Sequence, residues 1–190
     1  MKIISIVDAY DIRRDGVELF IKDVYSLRYG ARIDEFPSRL ISLVDDVDKI
    51  ICAAGLRTAE DGFFSEKYLD TSIDAALSAM SGLTIGRNEI FEVSTLASLS
   101  PKNIVEFIQG IISFGHENRF RWSFFTLTAR LHRLLERIGV APVYLAEANK
   151  NRIMNFEKWG SYYDFQPMIY AISGPVCAHG HQGAISHASL

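Results

Sequence analysis

The chain has 190 residues, 48% of them hydrophobic and 23% charged, with a formal net charge of −3. That size and balance describe a globular chain of about one domain with a proper core, and exclude a disordered one. Without a basic stripe or arm there is no electrostatic reason to expect nucleic acid as a partner, and no window reaches the roughly 18 uninterrupted apolar residues of a membrane helix.

Residues 2–7 read as a short strand or an apolar lead-in, too brief in its apolar run for a signal peptide and followed at once by Asp8. From Asp15 the period changes. Val17, Phe20, Ile21, Val24 and Leu27 follow three–four spacing, with Asp15 in a capping position and Gly30 just past the end. This predicts a helix of about four turns. Pro37 breaks the next segment. Residues 39–44 and 49–57 then read as two strands joined by Asp45-Asp46-Val47-Asp48, because aspartate tolerates turn geometry and bonds its own backbone. These aspartates lack the glycine and distal glutamate of a calcium loop, so a solvated turn is expected. Cys52 lies in the apolar run 50–54, where a buried, inert thiol is the usual outcome. With Cys177 its one companion, no disulfide framework is expected, and the chain reads as a cytoplasmic protein.

Residues 58–88 are the least regular, with short helices expected at 63–69 and 72–80. An insertion of this length reads as a lid or binding segment. Next comes Glu89 to Leu99, E-I-F-E-V-S-T-L-A-S-L, a strand over 89–97 in which Glu92, Ser94 and Thr95 interrupt an apolar run. A carboxylate is almost never buried without a partner or a task, so Glu92 is the first candidate for chemistry.

Ser100-Pro101 opens a helix over 103–114, with Gly115 as its stop. A strand at 121–128, rich in aromatics and carrying Thr126 and Thr128, leads into a helix over 129–138 with the stripe Leu131, Leu134, Leu135 and Ile138. Strands at 142–146 and 168–172 flank a polar stretch holding Trp159-Gly160-Ser161-Tyr162-Tyr163. Residues 1–173 read as a single domain. From Gly174 the periodicity is lost, and 174–190 is expected to be a mobile tail. His179, His181 and His187 lie there without a carboxylate or fixed geometry, so no metal site is expected. The alternation of strands and helices in the second half predicts an α/β (α+β) three-layer sandwich, a central mixed sheet flanked by helices. Strands 89–97 and 121–128, with a helix between them, should be parallel.

Several short pieces, in this order and spacing, carry a resemblance: Tyr29-Gly30-Ala31, Ala54-Gly55-Leu56-Arg57, Glu66-Lys67-Tyr68-Leu69, Glu92-Val93-Ser94-Thr95-Leu96-Ala97, Thr126-Leu127-Thr128 and Trp159-Gly160-Ser161-Tyr162-Tyr163. Together they are similar to the thermostable hemolysin family, which resembles the GNAT acyltransferase superfamily and its autoinducer-synthase-like branch. Two departures stand out. The family's usual E-V-G-N-L-A reads E-V-S-T-L-A here, so a side-chain amide gives way to the Thr95 hydroxyl. The superfamily's phosphate loop, Q/R-x-x-G-x-G/A, is replaced by Leu99-Ser100-Pro101-Lys102-Asn103-Ile104, without those glycines.

The resemblance implies an N-acyltransferase that moves an acyl group from a pantetheine thioester to a small amine. Acyl-CoA and an acyl carrier protein thioester both stay open as donor, and no metal is implied. The pantetheine would lie where the glutamate strand and its parallel neighbour splay apart, against the backbone at Leu96 and Ala97, with its phosphates near Lys102 and the helix N-terminus. Glu92 would be the base that takes the amine's proton, or else a structural partner of Arg57 locking two strands together. Arg57 would bind a substrate carboxylate or phosphate, or serve as that partner. Ser94 and Thr95 orient substrate or bond nearby backbone; Thr126 and Thr128 face the cleft or are ordinary strand residues. Trp159 and Tyr162 contact an acyl chain or pack a core edge. The alternative reading is a non-catalytic binding or membrane-lytic protein on the same fold.

Overall fold

In the computed structural model, which describes residues 2–174, seven strands join into one sheet in the order β1-β2-β3-β4-β5-β7-β6. They are β1 (Ile3–Val7), β2 (Arg39–Val44), β3 (Ile50–Arg57), β4 (Ile90–Ser98), β5 (Trp122–Leu127), β6 (Val143–Glu147) and β7 (Met168–Ser173). Neighbours are antiparallel except β4 and β5, which run parallel with a helix between them, as the alternation predicts. The helices are α1 (Arg14–Tyr29), α2 (Ile73–Ser81), α3 (Ile104–Glu117) and α4 (Ala129–Arg137).

The two-residue period of the strands sorts side chains into two faces and produces the expected three layers. Cys52, Ala54 and Leu56 of β3, Phe91 and Val93 of β4, and Phe125 and Leu127 of β5 meet Phe107, Ile108, Ile111 and Phe114 of α3 and Leu135 of α4. On the other face, Leu40 and Ala53 pack under Val17, Ile21 and Val24 of α1. Beside them, Ile90, Trp122 and Phe124 pack under Phe63, Ile73, Leu77 and Ile85, so the irregular segment 58–88 covers the sheet next to α1. Cys52 is buried, with its thiol 3.3 Å from the Ser98 hydroxyl.

Two local expectations change. Asp15 does not cap α1: the helix starts at Arg14 without a side-chain cap, and Asp15 sits in the first turn, where its charge suits the helix dipole. Gly115 does not stop α3, which continues to Glu117. A Cβ at that position would stand 3.0 Å from the Phe91 ring, so this glycine marks a close approach of helix to sheet. Gly30 does close α1, at φ 64°, and Asp45 does hold the β2–β3 turn by accepting from the Val47 and Lys49 amides. Cys177, the three histidines after Gly174 and the expected tail lie outside the described residues.

Candidate active site

β4 and β5 pair from Ile90 opposite Trp122 to Val93 opposite Phe125 and then part. Beyond that point β4 stays with β3, and β5 with β7. The cause lies in the middle of β4. Register slips by one residue, with Ser94 opposite Gly55 but Ala97 opposite Ala53, and Thr95 takes φ 48°. Such a bulge bends a strand away from its neighbour. A β-branched residue at positive φ is an outlier, held there by its surroundings.

The V opens a cleft of 1280 Å³. One wall, toward α3 and α4, is apolar and includes Ile104, Ile108, Ile111, Leu131 and Leu134. The other carries aromatic rings: Tyr25 and Tyr29 of α1 stack edge-on or tilted against Trp159 and Tyr162, with centroids 5.2–6.3 Å apart. Gly160, at φ 53° and ψ −128°, turns the chain so tightly under α1 that the Ser161 amide donates to the Tyr29 carbonyl at 2.8 Å. The rim is basic: Arg28, Arg32, Arg57, Lys67, Arg130, Arg133, Arg137, Arg152 and Lys158 line the cleft, against Asp34, Glu35 and Glu92.

Glu92 is fully buried at the base of the V. Segment 63–65 lies over it. Its Oε2 accepts from the Phe64 amide at 2.6 Å, and its Oε1 accepts from the Ser65 amide at 2.9 Å and the Ser65 hydroxyl at 2.6 Å. The Ser65 hydroxyl in turn lies 2.8 Å from Thr126 Oγ1. Burial raises the Glu92 pKa above the ordinary carboxylate value, with the Ser65 hydrogen bonds, the Arg57 charge and the Phe64 amide opposing it. Glu92 and Arg57 face each other in the β3–β4 register. Of the two readings held open for Glu92, the one that makes it a partner of Arg57 has no direct carboxylate–guanidinium contact among the described residues. The carboxylate oxygens accept from residues 64 and 65, while Arg57 Nη1 donates to the Gly62 carbonyl at 3.5 Å.

Three buried polar atoms on the same wall, Arg57 Nε, Ser94 Oγ and Thr95 Oγ1, have no hydrogen-bond partner among the described residues. Such atoms are uncommon in folded proteins and call for an explanation. Ser94 Oγ sits where a Cβ on Gly55 would come within 2.5 Å, so the glycine makes room for it. Glu92, Arg57, Ser94, Thr95, Leu96, Thr126, Thr128, Trp159 and Tyr162 all line the one cleft. Ala97 and Lys102 do not: Ala97 is buried under α1 and Lys102 is exposed outside the lining. The helix expected to receive phosphates opens instead with a 3-10 turn over Pro101–Asn103, capped by the Ser100 hydroxyl accepting from the Lys102 amide at 3.3 Å. Ser65, Phe64, Tyr25 and the α4 arginines were not legible as site residues, because nothing local to them signals the cleft.

The profile of the family described as thermostable hemolysin matches residues 7–177. No curated protein matches the chain. Among solved structures, FeeM, an N-acyl amino acid synthase from uncultured soil microbes, superposes with a TM-score of 0.60 at 16% identity, covering 92% of this chain and 93% of its own. The AHL synthase LasI gives a TM-score of 0.62 at 10% identity, over 100% and 99% of the two chains. The CoA-dependent acyl-homoserine lactone synthase MesI gives 0.55 at 16% identity, over 96% and 98%. At such identities the likeness is one of fold alone, and the fold is GNAT-like.

Proposed function

From the premise that this chain belongs to the thermostable hemolysin family, and that its family fold is cut open between β4 and β5, we propose that it is an N-acyltransferase. It moves an acyl group from a pantetheine thioester, coenzyme A or acyl carrier protein, to a small amine. The observation that carries this reading is the two-sided V with a buried carboxylate at its base.

The β4 edge past Val93, paired with β3 but open on its β5 side, suits strand-like pairing with the amide groups of a pantetheine arm. The basic rim suits its phosphate. The apolar wall between α3 and α4 suits the acyl chain, and the volume exceeds what a drug-sized ligand needs, leaving room for donor and acceptor together. Arg57, Ser94 and Thr95 offer the acceptor's polar groups the partners those atoms lack. Glu92, raised toward neutrality by its apolar setting, is the base. Segment 58–88 is the wall that makes this setting dry. Because coenzyme A and carrier thioesters do not cross membranes, the reading implies a cytoplasmic protein.

The test is thiol release from decanoyl-CoA and decanoyl acyl carrier protein in the presence of an amine mixture, with products read by mass spectrometry. The wild-type chain releases thiol and forms amides, and Glu92→Gln lowers the rate by about 10²–10⁴-fold. Unchanged transfer in a folded Glu92→Gln protein removes Glu92 from the mechanism. The family's description carries a second reading, a lytic protein, and dye leakage from vesicles tests it directly. Among the described residues, no helix is long and apolar enough to cross a membrane.

A further inference from the structure

We propose that Thr126 and Ser65 form a two-hydroxyl proton relay from the cleft to Glu92, so that the base never touches the amine it deprotonates. The proposal rests on the acyl-transfer reading. Its starting point is that Glu92 has no exposed surface and that donors already occupy both of its oxygens. The Phe64 and Ser65 amides can only donate. Ser65 Oγ has a single proton, and at 2.6 Å from an ionised Oε1 that proton must lie between the two oxygens. Ser65 Oγ then accepts from Thr126 Oγ1, 2.8 Å away. The order is therefore fixed while Glu92 is ionised: Thr126 donates to Ser65, and Ser65 to Glu92.

Exposure follows the same direction. Thr126 is partly exposed on the cleft wall, one residue past the last β4–β5 pair, whereas Ser65 is 2% exposed and Glu92 0%. Thr126 is thus the outermost hydroxyl of a chain whose inner end is the carboxylate. A substrate ammonium at Thr126 gives its proton to Oγ1, Thr126 passes its own to Ser65, and Ser65 passes its own to Glu92 Oε1. One proton leaves the nitrogen, Glu92 becomes neutral, and both hydroxyls are restored with their donor direction reversed. The freed amine forms the N–C bond to the thioester carbonyl and the C–S bond breaks. The nitrogen's remaining excess proton goes to the thiolate, which leaves as thiol. Glu92 then returns its proton to the cleft along the same two hydroxyls. The charged and titratable groups facing Glu92 are Arg57 on β3 and Tyr68 in the covering segment.

Thr126→Val keeps the side-chain shape and removes the hydroxyl; Thr126→Ser keeps the hydroxyl. With the decanoyl thioesters above, Thr126→Val should lower kcat/KM by about 10²-fold, at the low end of what general-base help supplies, and replace the acid limb set by Glu92 with one set by the amine's own ionisation. Thr126→Ser should restore both. A proton inventory in mixed H₂O and D₂O should curve for the wild type and become linear for Thr126→Val. Wild-type rate and pH profile in Thr126→Val would overturn the relay; if folded Glu92→Gln is inactive in the same assay, Glu92 remains the base. Equal loss in Thr126→Ser and Thr126→Val also overturns the relay, since it makes Thr126 a packing residue. A wild-type chain that releases no thiol from either donor overturns the acyl-transfer reading and the relay with it.

Discussion

Glu92 makes two demands that meet in one substitution. Its oxygens accept two backbone amides and one hydroxyl, so Gln at this position would turn an NH₂ toward at least one N–H donor. Glu92→Gln should therefore cost about 1–3 kcal/mol of stability, the usual penalty for a buried group left without its partner. Urea titration checks this. The pH dependence has a definite sign. Burial raises the Glu92 pKa in the fold, so the folded state holds its proton more tightly. The stability this contributes is fully present below the ordinary carboxylate value and is lost as pH rises through the raised one. Glu92→Gln should remove that slope. Thr95 makes the opposite case. Its φ of 48° disfavours a β-branched side chain, whereas asparagine visits this region readily. Thr95→Asn should stabilise the fold by about 1 kcal/mol, seen as a raised Tm. If the Thr95 hydroxyl holds the acceptor, the same variant should raise KM for the amine.

At the scale of elements, glycines decide how closely the layers approach. Within α3, Gly110 and Gly115 sit where a Cβ would stand 2.3 Å from Ile4 and 3.0 Å from Phe91. A helix-interior glycine costs about 1 kcal/mol relative to alanine, and here the cost is offset by bringing β1 and β4 into contact with the helix. Gly160 is more constrained. It has positive φ, and a Cβ would stand 2.0 Å from the Tyr29 carbonyl oxygen. Gly160→Ala must push the 159–163 turn off the end of α1, and Trp159 and Tyr162 with it. We expect a loss of about 3 kcal/mol or more, together with a red-shifted tryptophan emission as Trp159 meets water. An unchanged melting curve would show that this turn is not what positions the aromatic wall.

For the whole molecule, the site depends on segment 58–88 staying down on the sheet. Arg87 ties it together, binding Glu66 through both guanidinium ends at 2.6 and 3.0 Å and Asp74 at 3.0 Å, with its guanidinium over the Phe63 ring. The Arg87 hydrogen bonds hold the Glu66 carboxyl below its ordinary value. A lowered carboxylate pKa gives stability that is present above the ordinary value and lost as pH falls through the lowered one. Amide exchange across 63–81 should therefore quicken on acidification. Arg87→Ala should quicken it at neutral pH by a few-fold, in line with roughly 1 kcal/mol for a partly exposed network, and flatten its pH dependence. The segment is the layer that buries Glu92, so loosening it should also bring the Glu92 pKa back toward the ordinary range.

Much of this architecture was written in local sequence. Apolar runs and spacing marked strands β2 to β7 and all four helices, Gly30 announced the end of α1, and a glutamate inside an apolar run made Glu92 the first candidate for chemistry. These are short-range effects: side-chain alternation, helical spacing and turn chemistry act over a few residues. What only the tertiary structure decided lies farther apart along the chain. Ser65 meets Glu92 across 27 positions and Thr126 across 61, and no property of an isolated serine foretells either contact. Gly115 read as a stop because the approach of Phe91 is invisible without the sheet. The Ala97 side chain sits under α1 because of the slip at Thr95, which nothing in the order of residues reveals. One of the two readings of Glu92 made it the partner of Arg57, its register neighbour across β3 and β4. The fold instead brought down a backbone turn from another layer, whose amides reach the buried carboxylate directly.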